Sequence, residues 1–155
     1  MAKLRALADE LWPEVPSRSY IASGNLIVQA DTTERDIADR LTKRIASDFG
    51  FDVPVLAVNA AEFVKAITRC PYDVDEPKHV HGYFCLAPPQ VDHALLTSLR
   101  TPYDQVTIAQ DVIWLHTAKG FSASKLADKM PRVAGVSVTA RNLNTCRKLV
   151  EMLDG

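Results

Sequence analysis

Apolar positions recur along this chain with two alternating periods. Leu4, Leu7, Ala8 and Leu11 fall at helical spacing, and Pro13 and Pro16 end that helix. Ser19–Ala22 and Leu26–Ala30 are short, apolar and β-branched, which predicts two strands joined at Ser23-Gly-Asn25. Asp31-Thr-Thr-Glu34 predicts a helix start. The stripe Ile37, Ala38, Leu41, Ile45 and Phe49 predicts its buried face, and Gly50 its end. Val53–Val58 predicts a strand, placed at a sheet edge because Pro54 has no N–H to donate. Asn59-Ala-Ala-Glu62 opens another helix, with Phe63, Ala66 and Ile67 inward and Pro71 as its stop. Tyr72–Lys78 is acidic, contains proline and reads as a linker.

The pattern then starts again. His79–Leu86 is a strand, with Val80, Phe84 and Leu86 on one face, and Val91, Leu95 and Leu99 mark a helix. Gln105–Ala109 and Val112–His116 form a hairpin about Gln110-Asp111. Gly120–Met130 is a loop feeding a helix, Val136–Ala140 a strand, and Cys146, Leu149, Val150 and Leu153 stripe a final helix. Strand, helix, strand, strand, helix, strand is the ferredoxin-like split β-α-β plan. The predicted fold is therefore α+β, with two tandem ferredoxin-like units. The first, residues 1–78, lacks its opening strand; the second spans residues 79–155. The repetition is one of architecture, without clear residue identity between the halves.

Four runs give the chain a resemblance. Tyr20–Val28 (YIASGNLIV), Gly50–Val55 (GFDVPV), Gly120–Leu126 (GFSASKL) and Thr139–Thr145 (TARNLNT) occur in the order seen in the bacterial domain of unknown function 1697 family. The resemblance implies tandem ferredoxin-like units and carries no established activity. It also implies an opening strand with a basic residue and a Gly-rich turn, which this chain lacks, and a Trp where Leu143 stands.

An absent first strand has a physical consequence. That strand is central in the ferredoxin-like order, so Leu26–Ala30 and Val53–Val58 are left with unpaired edges. Each unpaired buried amide costs about 1–3 kcal/mol, and an apolar edge invites pairing with another chain. Three outcomes satisfy it: a true start upstream of Met1, closure of the gap by the two strands, or cover from a second copy in a homodimer.

Composition narrows the function classes. Hydrophobic residues make up 47% of the 155, which is compatible with a sizeable core. The net charge of -1 argues against a surface that grips nucleic acid through its phosphates. An RNA-recognition reading also lacks the aromatic strand motif: Tyr83 and Phe84 point to opposite faces, with only Trp114 on the companion strand. Cys70, Cys85 and Cys146 are odd in number and widely spaced, which predicts reduced thiols in a cytoplasmic protein rather than a disulfide framework. No apolar run approaches the ~18 residues of a membrane span, and the mixed-charge N-terminus does not read as a targeting peptide.

Candidate chemistry sits in three loops. Ser23-Gly24-Asn25 reads first as a tight turn, and second as a pair of polar groups, Ser23 and Asn25, facing a cleft between the halves. Gly120–Lys125 joins a strand to a helix. A serine cap explains it, and so does an anion site using helix amides with Ser122, Ser124 and Lys125. Asn142 suits a cap on the last helix, which leaves Arg141, Asn144 and Thr145 as further polar groups, arginine being able to grip carboxylate or phosphate at two points. Lys125, Arg141, Asn142 and Asn144 are the expected centre of the site. His79 and His81 stand ~6.6 Å apart along a strand, but no third ligand has a telling spacing, so no metal is assigned and no cofactor is implied. The leading expectation is a binding module for an anionic or nucleotide-like small molecule in the cleft. The alternatives are a hydrolase or transferase using the same cluster, and an interaction module pairing through the open edge.

Overall fold

The computed structural model describes residues 1–21 and 24–154 of an α+β protein. It resolves into two compact units, Met1–Ala60 and Ala61 onward. The expected division near residue 78 falls inside the second of these.

In the first unit α1 (Ala2–Leu11) precedes a hairpin of β1 (Arg18–Tyr20) and β2 (Asn25–Ile27), and α2 (Glu34–Phe49) follows. The hairpin is antiparallel, with Ser19 opposite Leu26. Thr33 caps α2, its hydroxyl accepting from the Asp36 amide at 3.1 Å, two residues beyond the expected Asp31. Gly50 ends the helix in the left-handed region at φ 78°, where a side chain would be strained. The apolar stripes of both helices meet: Leu7, Ala8, Trp12, Leu41 and Ile45 are buried together, with Leu26, Val28 and Val55 packed against them.

Val53–Val58 was expected as a strand, and here the structure differs. Among the described residues it joins no ladder and makes no backbone hydrogen bond. Its β-branched sequence fits a sheet, but strand propensity is expressed only when a neighbour offers matching amides and carbonyls. This unit's sheet has two strands, β1 and β2.

The second unit runs α3 (Ala60–Thr68, entering from the first), β3 (Val80–Cys85), α4 (His93–Leu99), β4 (Asp104–Ile108), β5 (Val112–Thr117), α5 (Lys125–Ala134), β6 (Val138–Asn142) and α6 (Leu143–Asp154). The four strands form one antiparallel sheet in the order β4-β5-β3-β6. Each of α4 and α5 crosses over a strand lying between the two it connects, which is split β-α-β connectivity.

Both faces of this sheet are covered. On one, Tyr83, Cys85, Ile113 and Leu115 pack against Leu96 of α4 and Leu126, Ala127, Met130 and Val133 of α5. On the other, Gly82 lies under the Trp114 ring, where an added Cβ would come within 2.9 Å of it. Phe84 meets Trp114 edge-on at 6.3 Å and Phe63 of α3 at 5.8 Å. The Tyr72 hydroxyl bonds Thr107 Oγ1 at 2.8 Å. Tyr72 therefore packs on the second unit rather than acting only as a linker residue.

Pro131 sits inside α5. It has no N–H for the Ala127 carbonyl four residues earlier. That carbonyl instead accepts from the buried Tyr83 hydroxyl at 3.1 Å, across the sheet–helix interface. A defect in the helix ladder thus becomes a tie between helix and strand.

Candidate functional site

Strand direction decides which loops meet in the second unit. β3 begins where β5 and β6 end: Val80 pairs with His116, and His81 with Asn142. β4 also begins at this end, Asp104 standing opposite Thr117. The segment leading into α5 and the start of α6 therefore open at one end of the sheet.

A single 3-10 turn, Pro77–His79, leads into β3. His79 Nδ1 lies 3.2 Å from Glu76 Oε2, and the His79 carbonyl accepts from Thr117 Oγ1 at 3.3 Å. Two residues on, His81 shares the helix-covered face with Tyr83 and Cys85. Its ring stacks on Phe121 with centroids 3.9 Å apart. His81 Nδ1 is buried and has no hydrogen-bond partner among the described residues. Burial, and secondarily His79, lowers the His81 pKa to about 4, so the ring is neutral at pH 7.

The strap over these imidazoles is the Gly120–Ser124 loop. Gly120 takes φ 98°, which favours glycine, and the chain then makes one 3-10 turn through Phe121–Ala123. Ser124 caps α5, its Oγ accepting from the Ala127 amide at 3.0 Å while donating to Asp104 Oδ1 at 3.4 Å. The buried Asp104 carboxylate also receives the Thr101 amide and hydroxyl at 2.9 and 3.0 Å. Ser122 and Lys125 are exposed beside this loop.

At the neighbouring helix start, Asn142 Oδ1 accepts from the Thr145 amide at 2.9 Å, and Asn142 is the cap of α6. Asn144 is exposed in the first turn, whereas Thr145 is buried. Arg141 precedes Asn142 by one residue, so strand alternation puts it on the opposite face. There it bonds Thr139 Oγ1 and the Ala140 carbonyl, both at 2.8 Å, and burial lowers its pKa.

The structure thus brings Ser122, Ser124, Lys125, Asn142 and Asn144 to one sheet end and turns Arg141 away from it. Asn25, in the first unit, is buried and donates from Nδ2 to the Tyr20 carbonyl at 3.1 Å, closing the hairpin. Ser23 lies outside the described residues. In the sequence His81 reads only as a candidate metal ligand, and Phe121 carries no signal of its own. The available signal was the register: a strand-opening His-x-His faces whatever follows the partner strand's end. Among the described residues no three His, Cys, Asp or Glu side chains gather as a metal site.

The thiols are poorly suited to nucleophilic work. Burial pushes Cys70, Cys85 and Cys146 up, Cys146 to about 12 with a further push from Cys70 that Arg141 opposes. No helix among the described residues is long and apolar enough to cross a membrane.

Comparison with known proteins agrees with the fold. The solved structure of the conserved bacterial protein SP0830 from Streptococcus pneumoniae superposes with a TM-score of 0.73 at 19% identity, covering 99% of this chain and 88% of that one. At that identity the likeness is one of fold alone. No curated protein matches the chain. The sequence profile of a family described as protein of unknown function (DUF1697) matches residues 1–114, well over half the length, and the chain belongs to that DUF1697 family.

Proposed function

We propose that this chain is a binding module of two tandem ferredoxin-like units, the first lacking its opening strand, and that the second unit holds an anionic or nucleotide-like ligand. The site is the sheet end where β3 begins. The carrying observation is the His81–Phe121 stack, with its unpartnered Nδ1, between the starts of α5 and α6. Helix geometry leaves the first amides of each helix without intrahelical acceptors, and the positive end of each dipole favours an anion. Lys125 supplies an exposed cation, and the Phe121 ring, partly exposed, is a surface on which a base can stack.

Thermal unfolding with inorganic phosphate, pyrophosphate and AMP tests this reading. Binding to the folded state raises the midpoint with ligand concentration. Lys125→Ala is expected to weaken the response to all three, and Phe121→Ala the response to AMP above all. A response unchanged in both variants defeats the reading. The enzyme alternative gains no support from the raised thiol pKa values.

A second reading has its own observation. β2 pairs with β1 alone among the described residues. Asn25-Leu-Ile-Val-Gln29 is symmetric in character about Ile27, polar at both ends and apolar between. Two antiparallel copies would set Leu26 against Val28 and Asn25 against Gln29, the self-complementarity of a two-fold homodimer. Sedimentation at rising concentration is expected to give a dimer that Ile27→Lys dissociates. A monomer throughout refutes it.

A further inference from the structure

The first unit carries a separate feature that neither reading uses. A cavity of about 500 Å³ opens where the end of α1 meets the chain entering α2, a volume in the range of small-molecule sites. Trp12 lines it. Trp12 is only 9% exposed, and its Nε1 is buried with no hydrogen-bond partner among the described residues. An indole N–H can only donate, so an acceptor is missing here. The Arg40 guanidinium lies 5.3 Å from the centre of the Trp12 ring. Its other tie, to Asp36 at 3.6 Å, is solvent-exposed and weak, so the side chain is cheap to displace.

The rest of the lining narrows the ligand. Leu11 and Val15 supply apolar wall, while Glu14 and Asp31 bring two carboxylates against the single cation of Arg40. That balance disfavours a polyanion such as a nucleotide. It suits a molecule carrying one carboxylate, one ammonium group and an apolar body. We infer that this cavity binds an amino-acid-type zwitterion with an apolar side chain, its carboxylate taking the Trp12 N–H and pairing with Arg40, its ammonium group facing Asp31 and Glu14. Binding turns the edge of the Trp12 ring toward the ligand, which supplies the acceptor its N–H lacks.

The chain has two tryptophans, so its nitrogen-proton spectrum holds two indole signals. Titrating the full chain with leucine is expected to move the Trp12 indole signal saturably at millimolar concentration and to leave Trp114 still. Arg40→Gln and Asp31→Asn, both at exposed positions, are expected to weaken binding severalfold. N-acetyl-leucine and leucine amide, each lacking one charge, are expected to bind several times less tightly. Trp12→Phe is expected to abolish binding, with the dispersion of the Leu41 and Ile45 amide signals, in the same core as Trp12, reporting whether the first unit still folds. An unmoved Trp12 signal, or equal binding of leucine and its two blocked forms, overturns the inference. So does affinity undiminished by both exposed-position variants. Phosphate and AMP play no part in this test, so its failure leaves the second-unit reading standing.

Discussion

At the scale of residues, His81 most clearly shows environment overriding intrinsic chemistry. The unfolded chain protonates an ordinary histidine near pH 6.5, whereas folded His81 stays neutral down to about pH 4. Between those values the unfolded state binds the extra proton, so stability falls as pH falls. The full window is worth about 3 kcal/mol as an order of magnitude. Urea unfolding of wild type and His81→Leu from pH 7 to 4 is expected to show a steeper loss in wild type. Parallel curves would mean that the ring protonates freely in the fold. The low pKa itself was not legible in the sequence, because it comes from Phe121 and the loop folding back over the strand. The caps were legible: Ser124 and Asn142 both hold helix amides, as serine and asparagine before an apolar stripe suggest. Arg141 and Asn142 were read as neighbours in one cluster. Adjacency in a strand sends side chains to opposite faces, and strand β6 extends two residues further than Ala140.

At the scale of elements, periodicity was a good guide wherever an apolar face found cover. The stripes of α1, α2 and α6 and the β4–β5 hairpin appear close to where the spacing of apolar residues puts them. Two elements depended on distant partners. α5 runs past Met130 and through Pro131 because Tyr83 satisfies the carbonyl that proline leaves open. Tyr83→Phe keeps the packing and removes that donor. It is expected to lower unfolding free energy by about 1–3 kcal/mol. A neutral result would show the Ala127 carbonyl finding another donor. Val53–Val58 is the converse case: the right residue types, without a neighbouring strand to pair with among the described residues. Its amides are expected to exchange with solvent far faster than those of β3 and β5, as read by hydrogen exchange. Strong protection there would reveal a pairing partner, such as a second copy.

At the scale of the whole molecule, the chain is two units with different means of support. The second has a four-stranded sheet covered on both faces; the first rests two short strands on a helix pair. A two-stranded hairpin is marginal alone, so the first unit depends on the packing of Leu7, Trp12, Leu41 and Ile45. The architecture of the second half was legible because its strands and helices differ clearly in apolar period. The first half was legible in its helices and hairpin but not in its third strand. The proposed ligand sits at the sheet end of the second unit, and mapping amide shifts during an AMP titration is the sharpest check of that placement. The largest shifts are expected at His81, Phe121–Ala127 and Leu143–Thr145, with Lys125→Ala shrinking them. Shifts absent from those segments, or concentrated in the first unit, would contradict it.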